Sequence, residues 1–158
     1  MSTRRRSSLA ITSWLLREAA EDCPLSASWM AEHLAACMPE QACACFRYLL
    51  TDPQPPLAMV AGIGLWTLVA ANCPEALPLA EASLHYRTDA AAQTEAVQTA
   101  AWQALLGLGD PAAIPILRAY LADGRASRGA RDQLVEALQV ERGHPWRAEI
   151  LQVHGVPG

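Results

Sequence analysis

The chain contains no lysine, so all twelve of its basic residues are arginines, a composition bias rather than a functional signal. Aromatic residues make up only 6% of its 158 positions and glycine is modest at nine, while alanine and leucine dominate. That mix favours helix over sheet, because Ala and Leu lose little side-chain freedom in a helix. No apolar stretch is long enough for a membrane span, which needs roughly 20 residues. The most apolar one, Leu57 to Ala71, has fifteen residues with only Thr67 polar. An excess of positive charge is also missing. The formal net charge is −4, and residues 17–95 hold three arginines against ten acids. Such an acidic body argues against nucleic-acid binding, whose affinity rests on cations meeting phosphates. At this length one domain buries roughly 70% of its extended surface, so a core forms without metals or disulfides.

Recognisable catalytic patterns are absent as well. His85, His144 and His154 have no partnering Ser, Cys or Asp at a motif spacing. Gly62-Ile63-Gly64 lies inside a helical pattern without the preceding strand of a phosphate loop, so small residues letting helices approach are the simpler account. The five cysteines, Cys23, Cys37, Cys43, Cys45 and Cys73, make an odd count with no framework spacing. Most sit in apolar helical patterns, where a free thiol behaves as a small hydrophobe, and a reducing cytoplasm suits them. His33 and Cys37 share a helix face, but no second ligand pair lies nearby and Cys37 reads as core. Cys43 and Cys45 are two apart, about 200° around a helix, so they cannot grip one ion. No metal or cofactor is expected. At the N-terminus Arg4, Arg5 and Arg6 precede a short apolar run that resembles a signal peptide. That run is only eight residues long, carries Thr12 and Ser13 and lacks a convincing cleavage site, which leaves a cytoplasmic protein as the expectation.

Proline and polar breaks divide the chain into about nine helical segments, near 8–22, 26–38, 39–51, 56–72, 74–87, 90–108, 110–123, 127–142 and 144–154. Pro24, Pro39, Pro74, Pro111 and Pro145 each sit where a helix would begin, the position at which a missing N–H costs nothing. Asp110 is placed to cap the helix after it and Asn72 to close the one before it. Residues 60–84 align with 97–121 at a shift of 37. Val60 falls on Val97, Gly64 on Ala101, Leu68 on Leu105, Pro74 on Pro111, Pro78 on Pro115 and Leu84 on Leu121. A fainter copy matches Ile150 and Leu151 to Ile116 and Leu117 at a shift of 34. Two helices per unit with a period in the thirties predict an all-α solenoid of stacked antiparallel hairpins. We expect one domain over 1–158, with a flexible start at 1–7, irregular hairpins over 8–55, the clearest repeats over 56–143 and a terminal helix and tail over 144–158.

Ala101, Ala104 and Leu105, then Gly109-Asp110-Pro111, Ala113, Ile114 and Pro115-Ile116-Leu117, resemble the HEAT-like repeat, particularly the kind first named for phycobilisome lyases. The resemblance is good across 97–121 and fair across 60–84, and the first 55 residues depart from it. A tetratricopeptide array has a similar period, but its spaced Trp, Gly and Tyr signature is missing. The resemblance implies that helices 56–72 and 90–108 line a concave face. There the later copy carries Thr94, Glu95, Gln98, Thr99 and Gln103, where the earlier one carries Leu57, Ala58, Ala61, Gly62 and Trp66. An apolar face with a tryptophan suits either a binding site or packing beneath the N-terminal helices.

The expected function is therefore a non-enzymatic protein-interaction module, an adaptor or an inhibitor of the immunity-protein kind. Its expected partner site is Trp66, Leu57, Ala61, Gly62, Gln98, Trp102 and Gln103, together with Arg128 and Arg131 of the cluster that begins at Arg125. The expected partner is a protein, with a second copy of the chain as one option, and neither nucleic acid nor membrane. The alternative is an enzyme, because the HEAT-like resemblance also covers bilin lyases and alkylpurine DNA glycosylases.

Overall fold

A computed structural model of the chain describes residues 24–49, 64–140 and 145–151. Among them are eight helical segments and no strand. These are α1 (Pro24–Cys37), α2 (Pro39–Leu49), α3 (helical over its described residues, 64–70), α4 (Ala76–Leu84), α5 (Ala91–Leu108), α6 (Ala113–Ala122), α7 (Arg128–Val140) and α8 (Arg147–Leu151). The all-α expectation holds. The expected helix 8–22, the first half of the 56–72 segment and the end of the last helix lie outside the described residues. No helix among those described is long and apolar enough to cross a membrane.

Local chemistry explains where the helices stop and start. Pro24 and Pro39 are the first residues of α1 and α2, as their missing N–H allows. Pro74 and Pro111 instead sit in turns two residues ahead of α4 and α6. Those turns are closed alike, by Ala76 N–H donating to Cys73 O at 3.0 Å and Ala113 N–H donating to Asp110 O at 2.9 Å. The Asp110 carboxylate also accepts from Ala112 N–H at 2.9 Å. Helix α3 ends in a Schellman motif: Cys73 N–H donates to Leu68 O and Asn72 N–H to Val69 O, both at 3.0 Å, with Asn72 at φ 54°. Gly109 takes the same role after α5 at φ 69°. Ser127 caps α7, its hydroxyl accepting from Ala130 N–H at 3.3 Å.

Several helices begin at similar intervals along the chain. Helices α4 and α6 begin 37 residues apart, as do α5 and α7, and α8 begins 34 after α6. Helix α2 begins 37 before α4, and its buried Ala42, Cys43 and Phe46 anticipate the buried Leu79, Ala80 and Ser83 by the same interval. Helix α4 packs against both α2 and α6, and α6 against α8. Helix α5 forms a hairpin with α4 and lies alongside α7, while α1 packs on α2.

A continuous core runs through these elements. Its fully buried side chains include Phe46, Leu65, Leu68, Leu79, Leu84, Leu105, Leu117, Leu134 and Leu138. Burying each stabilises the fold by about 1.5–3 kcal/mol relative to exposure, before chain entropy is counted. Gly64 is there because α3 must approach α2 closely, since a Cβ at that position would overlap the Phe46 ring. Cys43 and Cys45 are both buried, as is Cys73, and no disulfide joins the described cysteines. Cys37 is the exception to its expected core position. It is exposed, with its Sγ 3.7 Å from His33 Nε2, because this edge of α1 faces solvent.

Candidate functional site

Trp66 projects from α3 with 49% of its surface exposed. One edge of its ring rests on Gly107 of α5, where an added Cβ would stand only 2.7 Å from Cη2 and Cζ3. The glycine is thus a seat for the indole. Trp66 and Gly107, with Trp102, Gln103 and Leu106 of α5 and Ala137 and Leu138 of α7, line an open groove of about 590 Å³. Trp102 supplies a wall rather than a projection. It is 5% exposed, and its indole N–H is buried without a hydrogen-bond partner among the described residues.

Gln103 also borders a second, smaller depression of about 340 Å³. Its lining is Ala92, Glu95, Ala96, Thr99 and Ala100 of α5 with Gln133 of α7. Residues 92, 96 and 100, and likewise 95, 99 and 103, are four apart and so share one helix face. Among the described residues Glu95 is the only titratable lining group, and its carboxylate accepts from Gln133 Nε2 at 2.7 Å. Gly129 leaves room for it, since a Cβ there would lie 2.5 Å from Glu95 Oε2. Together the two depressions make a surface along α5 that is apolar at the Trp66 end and polar at the Glu95 end. It offers shape and hydrogen bonds.

The structure divides the expected site residues. Trp66, Trp102 and Gln103 come together on this surface. Leu57, Ala61 and Gly62 lie outside the described residues. Gln98 is corrected: it is fully buried and faces inward. Its Nε2 donates to Tyr86 O at 2.9 Å, while its Oε1 accepts from Tyr120 O–H and from Ser127 N–H, each at 2.9 Å. That one amide joins the loop before α5 to α6 and to the start of α7. Thr94 is buried beside it, with its hydroxyl accepting from Thr88 N–H at 2.9 Å. Arg128 and Arg131 do not border the surface. Arg128 is exposed and faces Asp132 at 3.8 Å, an arrangement that mainly solvates. Arg131 is partly buried, close enough to Tyr120 to favour its phenolate against the larger opposing effect of burial.

Leu106, Gly107, Ala137 and Gln133 were not anticipated. The available signal was Gly107, a helix-breaking residue inside a helical pattern, which marks a close approach.

Among the described residues no three His, Cys, Asp or Glu side chains cluster to hold a metal ion. The exposed His33 and Cys37 stand as a pair with Trp29 stacked on the imidazole at 5.9 Å. Compared with protein-family models, curated proteins and solved structures, the chain matches none.

Proposed function

We propose that the chain is a protein-binding module, a short α-solenoid of the HEAT-like kind that acts as an adaptor or inhibitor. Its partner lies along α5 with Trp66 as the anchor. The observation that carries this reading is the half-exposed indole seated on Gly107 at the wall of the groove. A large rigid ring is desolvated at little entropic cost, which is what an interface hot spot requires. The equal spacing of helix starts supports the solenoid reading, because stacked hairpins present the same face unit after unit. A protein suits the surface better than a nucleic acid does, since among the described residues its charged lining group is Glu95 and no arginine borders it.

The test is capture of partner proteins by the full chain and by Trp66→Ala, with folding checked by circular dichroism. The variant should bind a captured partner about 30-fold more weakly, the equivalent of roughly 2 kcal/mol. Equal capture by both proteins would remove Trp66 as the anchor. A wild-type chain that stays monomeric and retains no protein would remove the binding-module reading itself.

A further inference from the structure

Cys43 of α2 and Cys73, in the turn between α3 and α4, place their sulfurs 3.8 Å apart inside the core, although they are 30 residues apart in the chain. That is van der Waals contact between two thiols, less than 2 Å beyond the roughly 2.05 Å of a disulfide bond. Cys45, although also buried, is two residues along α2 from Cys43 and points to another side of that helix.

The two members of the pair differ in exposure. Cys73 retains 8% of its surface, whereas Cys43 has none. At the rim, Arg47 of α2 and Glu75, two residues beyond Cys73, face each other at 3.8 Å with more than half of each side chain exposed. An ion pair so open to water is screened and parts at little cost.

We propose that Cys43 and Cys73 are a redox modification site, which a small disulfide oxidant converts to a bond tying α2 to the turn between α3 and α4. Cys73 reacts first because, of the two, it alone keeps any exposed surface. Its thiol gives a proton to solvent, and the thiolate attacks one sulfur of the oxidant, breaking the oxidant's S–S bond and expelling one thiolate. Cys43 then gives up its proton and attacks the Cys73 sulfur, expelling the second. Two protein thiols are oxidised, one small disulfide is reduced to two thiols, and the expelled thiolates take up the two protons. Trp66 lies within the segment this bond closes, so oxidation restrains the helix that carries it.

The experiment exposes the native full chain to oxidised glutathione, blocks remaining thiols, and maps peptides without reduction. The expected product is a peptide pair joined through Cys43 and Cys73, two fewer free thiols, and reversal by dithiothreitol. Closing a loop of this length should raise Tm by about 5–10 °C. In Cys73→Ser both the link and the rise should disappear. The proposal is overturned if both thiols survive prolonged exposure, if glutathione remains on Cys73, or if Cys43 joins a different cysteine. A Tm rise that persists in Cys73→Ser would overturn it too. Should that variant fail to fold, the wild-type peptide map decides alone.

Discussion

Asn72 and Gly109, 37 residues apart, hold the same left-handed backbone, at φ 54° and 69°, and each ends a helix at the matching turn. The glycine adopts it freely, whereas an L residue with a Cβ pays for it, asparagine less than most. No atom lies within 4 Å of where a Cβ would stand at Gly109. Substitution there therefore probes the backbone alone. Gly109→Ala should lose about 1 kcal/mol in urea denaturation, and Asn72→Gly should gain up to about 1 kcal/mol. Equal stability for Gly109→Ala and wild type would show that the turn relaxes out of the left-handed region.

This matching of turns also explains what was legible in the sequence. Pro74 and Pro111, and the apolar positions after them, are local signals, so the register of α4 and α6 could be read without any tertiary information. The neighbouring faces were harder. Gln98 and Gln103 are both glutamines on one helix, yet one is buried and the other lines the groove. The difference depends on Tyr120 and Ser127, which lie 22 and 29 residues away. Gly107 becomes a seat only once Trp66 has arrived from a helix 41 residues earlier. The contact between Cys43 and Cys73 arises in the same way, from two elements whose approach no spacing rule encodes.

Gln98 should behave as a structural joint and not as part of a binding surface. Gln98→Leu keeps the bulk but leaves Tyr120 O–H, Ser127 N–H and Tyr86 O without their shared partner. Each buried polar group left unpaired costs about 1–3 kcal/mol, and some find water, so a loss of about 3 kcal/mol is expected. Chemical denaturation measures it directly. A loss below about 0.5 kcal/mol would mean that the junction rehydrates and that the amide holds nothing together.

Stability should be flat on the mildly alkaline side and then fall. Burial pushes the Cys43 thiol up from 9.0 to about 12, with the hydrogen bond to Cys73 adding to it. Burial also raises Tyr120 and Tyr86 above the ordinary phenol range. For groups raised in this way, the folded state favours the neutral form. For Cys43 that contribution is complete below the unfolded value near 9 and is lost as pH rises from there through about 12, and the two phenols, with an unfolded value of 10.0, follow at higher pH. Asp123 acts at the acid end. The Arg125 backbone N–H and the Arg87 guanidinium hold its carboxyl below the usual range, so its contribution is lost as pH falls through the folded value. Urea midpoints near pH 7, about 9 and about 11 test the alkaline arm. A midpoint unchanged at the highest pH would show that these groups ionise without unfolding.

Trp66 and Gly107 allow binding to be separated from stability. Trp66→Ala removes a ring that is only half buried, so its stability cost should be roughly 2 kcal/mol, about half that of a fully buried aromatic. Gly107→Ala acts from the other side. Its Cβ would stand 2.7 Å from the ring, and an indole open to solvent on its outer edge can swing away. Replacing a helical glycine also gains about 0.5–1 kcal/mol, so this variant should be as stable as wild type or slightly more so. Its indole, however, no longer sits in the groove. If Trp66 anchors a partner, both variants lose capture while only Trp66→Ala loses stability. Denaturation curves paired with capture by each variant make the comparison. Wild-type capture by Gly107→Ala, alongside lost capture by Trp66→Ala, would mean that the partner holds the ring away from its seat. Retained capture by both would place the contact elsewhere on the molecule.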